Sequence, residues 1–385
     1  MTLLSNKDDV LQGKIRKKFT ITELGGAFGD WGTLIPFIIG YVSIVGFNPA
    51  GIFFCLGITN IILGIKFNLP LPVQPQKTIG TIAISEVWNP NLVISTGFGT
   101  GIIWTLLGFT KILEKIVKKV PTVAVRGIQL GLGLILGWTA LELIGDNLLL
   151  GVISILIIII LIDNKKIPAA ILLVFLGILI LFITSDIALT DFIFTLPHFD
   201  LNLPRLDNLL IGMIIAGIAQ LLLTLTNVMI ATVSLAKDLF PERKNELDAS
   251  SLAMNMGLMN IFSPFLGGIP LCHGSGGLAA QYAFGARTGG SMILEGILEI
   301  FLGLFFSETL FLVFISFPKA ILGAMLIYTA FLLAKVSMKE RNLKTIPIIF
   351  ASGMTCLIFS ILNFFSILIG FLVGLFLYLV FKKWC

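Results

Sequence analysis

Two charged residues stand out because each is set in an apolar stretch. Lys77 lies in LPVQPQKTIG (71–80) and Asp30 in GGAFGDWGTLIPF (25–37). An ionised group at membrane depth is costly and marks a functional site by default. Around Lys77 stand Gln74, Gln76 and Thr78, which can donate hydrogen bonds to oxyanion oxygens. Further along, the glycine-rich PLCHGSGGLAAQYAFGARTGGS (270–291) offers Ser275 as its best-placed hydroxyl, with His273 before it and Arg287 after it. These residue types suit the holding of an anion. A nucleophile elbow needs G-x-S-x-G, but the residue two before Ser275 is His273. His273 and Cys272 lack partners for a metal, so His273 reads as a hydrogen-bond donor behind the site or as a proton acceptor near neutral pH. No G-x-x-x-x-G-K-[ST] occurs, so ATP is not expected to bind. The expectation is a protein that is not an enzyme, with no cofactor and no metal.

Composition sets the elements that must position these residues. The 385-residue chain is 57% hydrophobic and only 12% charged, with a mean hydropathy of +1.03. A soluble domain carries roughly twice that charged fraction. Apolar runs of about 20 residues recur from end to end, long enough to cross a ~30 Å hydrocarbon core as helices. The N-terminal MTLLSNKDDVLQGKIRKKFT has neither an apolar core nor a cleavage site, so it reads as a polar tail and not a signal peptide. Cys55, Cys272, Cys356 and Cys385 show no CxxC spacing, which argues against a disulfide framework or a zinc site. The net charge of +5 reports topology here and not a nucleic-acid partner.

Fourteen segments are expected, near 24–46, 49–67, 75–88, 92–110, 121–140, 147–163, 167–185, 208–235, 250–268, 274–286, 289–307, 318–335, 345–362 and 364–381. The third and tenth are too short to cross alone. With Lys7, Lys14, Arg16, Lys17 and Lys18 in the cytoplasm, alternation puts Lys66, Lys111, Lys115, Lys118, Lys119, Lys165, Lys166, Lys237, Arg243 and Lys244 inside. Arg287, Lys335, Lys339, Arg341, Lys344, Lys382 and Lys383 follow them, while only Arg205 and Lys319 fall on the outer side. Lys77 and Arg126 stay within the membrane region. That asymmetry obeys the positive-inside rule and puts both termini of a multi-pass inner- or plasma-membrane protein in the cytoplasm. KILEKIVKKV (111–120) reads as an amphipathic helix lying on the inner surface.

The halves resemble each other at an offset near 200. Gly57-Ile58-Thr59-Asn60-Ile61 matches Gly257-Leu258-Met259-Asn260-Ile261, and Pro70-Leu71 matches Pro270-Leu271. Val120-Pro121 matches Phe317-Pro318, with Gly127 and Gly323 following. Seven spans per half is odd, so the second half lies upside down relative to the first. The division is a tail over 1–20, a first inverted repeat over 21–200 and a second over 201–385. Inverted repeats belong to secondary transporters, with the binding site near the midplane. In PLPVQPQKTIGTIAIS (70–85), Pro72 and Pro75 break one helix, and Pro75 suits the first turn of the next. Gly274, Gly276 and Gly277 allow close backbone approach in the other half. Two half-helix N-termini, each with unpaired N–H groups and roughly half a positive charge, would then face one spot and cradle an anion.

Other polar residues surround that cradle. Lys77 either contacts the anion or forms an ion pair with Asp30. Asp30 either makes that pair, carries a coupling proton, binds Na⁺, or is a buried acid hydrogen-bonded at a helix break. Glu23 shares its span, and span eight, AQLLLTLTNVMIAT (219–232), brings Gln220, Thr224 and Asn227. Glu142, Glu295 and Glu299 are further intramembrane acids. Glu295 and Glu299 share one helical face, as a proton path or a structural seam. Arg287 either attracts anions at the inner mouth or anchors the interface.

GGAFGDWGTLIPF, LPVQPQKTIG and PLCHGSGGLAAQYAFGARTGGS resemble the signature segments of the molybdate transporter family, which is related to the sulfate permeases (SulP). The resemblance covers essentially the whole chain. It implies an all-α polytopic membrane protein with a 7+7 inverted-repeat fold. Spans 1–4 and 8–11 would form a core domain, and spans 5–7 and 12–14 a gate domain. A tetrahedral oxyanion would sit between spans three and ten and move by an elevator-like motion. Lys77 and Thr78 match the first site motif, and Gly274 to Gly277 the second. The chain ends at Lys383-Trp384-Cys385 without the soluble STAS domain of many sulfate permeases, which favours the molybdate branch. Span eight has no acid where several relatives of the fold place a coupling glutamate, which turns attention to Asp30. The expected function is molybdate import, coupled to H⁺. The alternatives are a sulfate permease, a nucleobase permease and an anion channel. The expected partners are molybdate or sulfate and the lipid bilayer. A homodimer is admitted, and neither nucleic acid nor ATP is expected.

Overall fold

A computed structural model describes residues 16–110, 113, 121–161, 169–184, 194, 197, 199, 202–243, 247–338, 344–362 and 365–381. The expected surface helix over 111–120 and most of the basic tail lie outside the described residues. The first half runs α1 (Ile21–Val45), α2 (Pro49–Lys66), α3 (Lys77–Ser85), α4 (Pro90–Phe109), α5 (Thr122–Ile144), α6 (Leu148–Leu161) and α7 (Ala169–Thr184). The second runs α8 (Leu206–Leu239), α9 (Ala249–Phe262), α10 (Ser275–Ala283), α11 (Gly290–Phe305), α12 (Ser307–Ile315), α13 (Lys319–Ser337), α14 (Ile346–Ile361) and α15 (Ser366–Phe381). Among the described residues, six of these helices are long and apolar enough to cross a membrane. The short α3 and α10 hold the places of the two expected half-helices.

One helix departs from the expected segments. α12 leaves α11 at 85°. Phe306 leaves the helical region (φ −127°), and Ser307 with the acidic Glu308 starts a new first turn. No Gly or Pro marks this break, so the apolar run conceals it.

Local signals set the helix starts, and they repeat between the halves. Asn48 Oδ1 accepts the Ala50 N–H at 2.9 Å to cap α2, and Asp248 Oδ1 accepts the Ser251 N–H at 2.8 Å to cap α9. Pro121 and Pro318 stand at the N-caps of α5 and α13. α2 packs on α11, and α9 packs on α4, while α5 is surrounded by α13, α14 and α15. Neither Gly57 nor Gly257 has space for a Cβ, which is how these helix pairs approach so closely.

Two three-residue strands cross at the centre. β1 (Val73–Pro75) pairs antiparallel with β2 (Leu271–His273), in the register Val73 to His273, Gln74 to Cys272 and Pro75 to Leu271. The matched asparagines do matched work. Asn60 Oδ1 accepts the Val73 N–H at 3.3 Å, and Asn260 Oδ1 accepts the Leu271 N–H at 2.8 Å. Buried extended backbone needs such partners, because no solvent is there to supply them.

Candidate functional site

The crossed strands deliver the starts of α3 and α10 to one small cavity. It is lined by Gln74, Pro75, Lys77, Gln220, Leu223, Thr224, Asn227, Val228, Cys272 and His273. α8 supplies Gln220, Leu223 and Thr224 from an α-helical turn and Asn227 and Val228 from the π-helical stretch that follows, Leu225–Ile230, of the kind that often marks functional sites. On the α3 side the Thr78 N–H donates to Gln220 Oε1 at 2.8 Å, and Gln220 Nε2 donates to Thr224 Oγ1 at 2.8 Å. On the α10 side no side chain of the N-cap residue bonds the first turn, and a Cβ on Gly276 would meet nothing within 4 Å. Ser275 Oγ donates to Asn227 Oδ1 at 3.3 Å. The Lys77 ammonium makes no hydrogen bond or ion pair with a described residue, Asp30 included.

The structure therefore brings Gln74, Lys77, Gln220, Asn227 and His273 together on the cavity lining, with Gly274, Ser275 and Gly277 beside Gln74 and Asn227, while Gly276 is exposed. Other expected site residues point elsewhere. Gln76 donates to Thr100 Oγ1 at 3.0 Å and to the Leu271 carbonyl at 3.2 Å, tying α4 to β2. Thr78 contributes its amide, while its hydroxyl is buried away from any partner. His273 lines the cavity with both ring nitrogens engaged, Nδ1 with the Pro72 carbonyl at 3.3 Å and Nε2 with Asn255 Oδ1 at 3.0 Å. Arg287 stacks on the Tyr282 ring at 3.6 Å and bonds the Tyr282 and Ala286 carbonyls, so it closes the far end of α10. Glu23 accepts from the N–H groups of Arg287 and Thr288 and from the Thr288 hydroxyl, at 3.0 to 3.3 Å.

The remaining acids form a network behind the cavity. Asp30 sits on a 3₁₀ turn (Phe28–Asp30) inside α1 and accepts from Gln74 Nε2 at 3.4 Å and Gln281 Nε2 at 3.2 Å. The same Gln281 nitrogen donates to Glu295 Oε2 at 2.8 Å, and Trp31 Nε1 donates to Glu295 Oε1 at 2.8 Å. Glu299 Oε2 accepts from Asn60 Nδ2 at 2.7 Å, joining the network to β1. Gln281 and Cys272 were absent from the expected site, while Thr224, expected there on span eight, lines the cavity. Gln281 had a signal, an amide in the apolar half-helix SGGLAAQYA. Its reach depends on Gly29, where a Cβ would come within 2.9 Å of the α10 backbone.

Two inverted repeats meeting at crossed half-helices define a membrane-transporter architecture. The fold is shared with the transmembrane domain of a cyanobacterial bicarbonate transporter, BicA (TM-score 0.67, 15% identity, 94% of this chain and 98% of that one). It is also shared with SLC26A9 (TM-score 0.69, 14% identity, 99% of this chain and 69% of that one). Within that class the chain belongs to the molybdate transporter family. The family model, described as "Molybdate transporter of MFS superfamily", matches residues 22–136 and 212–333. Molybdate transporter 2 of Arabidopsis thaliana is 30% identical over 97% of this chain and 90% of its own length. Molybdate transporter 1 of Chlamydomonas reinhardtii is 26% identical over 84% of this chain and 85% of its own. The protein is a multi-pass membrane protein of that family.

Proposed function

We propose that the protein is a secondary transporter of a tetrahedral oxyanion, molybdate before sulfate, which takes up a proton with the anion. The carrying observation is the pairing of two half-helix starts by β1 and β2 around a cavity that Lys77 lines without an ion-pair contact to a described carboxylate. Each helix start offers N–H donors and partial positive charge, and the ammonium adds a full one. The anion binds between Lys77 and the first turn of α10, with Gln74, Gln220 and Asn227 around it and His273 behind it. Asp30 is the coupling acid, backed by Glu295 and Glu299. The names of the relatives support molybdate over sulfate.

For transport, α1–α4 with α8–α11 form a core that carries the site past a gate of α5–α7 with α13–α15. Support comes from the packing of α2 on α11 and α4 on α9, and from the packing of α5 with α13–α15. The basic residues support cytoplasmic termini. Equilibrium binding of molybdate to the purified protein, with sulfate as competitor, tests the reading. Binding that survives a large excess of sulfate and is lost in Lys77→Ala supports it. Equal competition makes the protein a general sulfate-type permease, and no oxyanion binding at all removes the cradle.

A further inference from the structure

The proton coupling proposed above requires a route from Asp30 to the anion, and Gln74 stands on it. Gln74 Nε2 donates to Thr33 Oγ1 at 2.8 Å and to Asp30 Oδ2 at 3.4 Å. That orientation strands Oε1 without a partner, although Gln74 is only 2% exposed. The bare carbonyl lies on the cavity lining at the start of α10, where a Cβ on Gly274 would stand 3.2 Å from it. A buried carbonyl with nothing to accept is a costly arrangement unless something else fixes it. Asp30 fixes it. An ionised carboxylate only accepts hydrogen bonds, so it demands the NH₂ end of the Gln74 amide.

A protonated Asp30 reverses the demand. Its O–H needs an acceptor, and the Gln74 carbonyl meets it once the amide makes half a turn. Thr33 suits both arrangements, because a hydroxyl can accept from NH₂ or donate to a carbonyl. At present it donates to the Asp30 carbonyl at 3.1 Å. Oδ1 of Asp30 is held by Gln281, which leaves Oδ2 to take the proton. The turned amide then directs N–H donors at the cavity, beside Lys77 and the open first turn of α10.

We infer that Gln74 is a proton-operated amide switch, presenting its carbonyl to the anion site while Asp30 is ionised and its NH₂ once Asp30 is protonated. The switch lets the site take an oxyanion together with a proton. The other titratable and charged groups around it are Glu295 and Glu299 on α11, Lys77 on α3, and Cys272 and His273 on β2. Glu23, on α1 itself, is bonded to Thr288.

Equilibrium binding of molybdate, and separately of sulfate, to the purified full chain in sodium-free buffer from about pH 5 to about pH 8 tests this. One linked proton weakens wild-type binding about tenfold per pH unit above the titration of Asp30. Asp30→Asn places a permanent donor against the Gln74 carbonyl, so its binding is flat with pH and equals the wild type at low pH. Gln74→Met is similar in length and cannot relay, so its binding is weak and flat. A Gln74→Met protein with the wild-type slope means that Asp30 acts through space, and the switch is wrong. An Asp30→Asn protein that keeps the slope overturns it equally, and Gln74→Leu, read in the same way, takes the place of Gln74→Met if that protein does not fold. Wild-type binding without pH dependence overturns the switch alone. A wild type that binds neither anion at any pH overturns the oxyanion reading and the switch with it.

Discussion

The starts of α3 and α10 are related by the internal repeat, and they are finished differently. α3 is closed: its first turn is packed among buried residues, and Gln220 already occupies the Thr78 amide. α10 is open: Gly276 is exposed, and no side chain of the N-cap residue bonds its first turn. The two ends therefore divide the labour. α3 brings a full charge on Lys77 and a fixed frame, while α10 brings free backbone donors that need no side chain to move. A symmetric pair of glycine-rich turns would offer only dipoles, which distinguish one dianion from another weakly.

The largest expected effect breaks the closed side. Lys77→Ala should weaken molybdate binding by 100-fold or more, since removing one partner of a desolvated charge pair costs about 3 kcal/mol or more. Calorimetric titration checks this, and a change within threefold would mean that α3 supplies no charge to the anion. On the open side, Gly277 and Gly276 should answer with opposite signs. A Cβ at Gly277 would stand 2.7 Å from Pro72 and 2.9 Å from Gln74, so Gly277→Ala should lower stability by about 1–3 kcal/mol. Gly276→Ala meets open space and should leave thermal stability unchanged or raised by up to about 1 kcal/mol. Equal melting shifts would erase the contrast between the two positions.

Gln220→Ala sharpens the comparison further. It frees the Thr78 amide from a carbonyl that stands in for an oxyanion oxygen. Anion affinity should rise roughly fivefold, the worth of one net hydrogen bond. A marked fall instead would show Gln220 to be a direct ligand. The smallest effect concerns the caps that start α2 and α9. Asn48→Ala and Asp248→Ala should each cost about 1 kcal/mol. Partial burial alone would push the Asp248 carboxyl up, but hydrogen bonds from Ser251 and Ser250 and the charge of Lys66 hold it below its usual 3.8. Its contribution is therefore present above that value and lost as pH falls through the folded value. Melting curves at descending pH should show the Asp248→Ala deficit shrinking while the Asn48→Ala deficit persists.

Much of the scaffold was legible. Hydropathy and the Asn60 and Asn260 match located the halves and the two broken helices, because apolar length and helix breaks are local properties. The direction of individual side chains was not. Gln76 and Thr78 flank Lys77 in sequence, yet an extended strand followed by a helix turns neighbours to different sides. Gln281 joined the acids only because α1 and α10 touch at Gly29. The α11–α12 bend went unread because no Gly or Pro marks it.

The sequence alone determined that this chain spans a membrane, that it is doubled, and that each half is interrupted by a short polar stretch with a glycine- or proline-based break. Those facts follow from residue type and spacing along the chain. Only the tertiary structure decided that Lys77 stands without Asp30, that Gln220 closes one helix start, and that Gln74 lies between acid and cavity. Each of these is a choice of partner among groups far apart in sequence, and burial leaves one geometry in which the most hydrogen bonds are met.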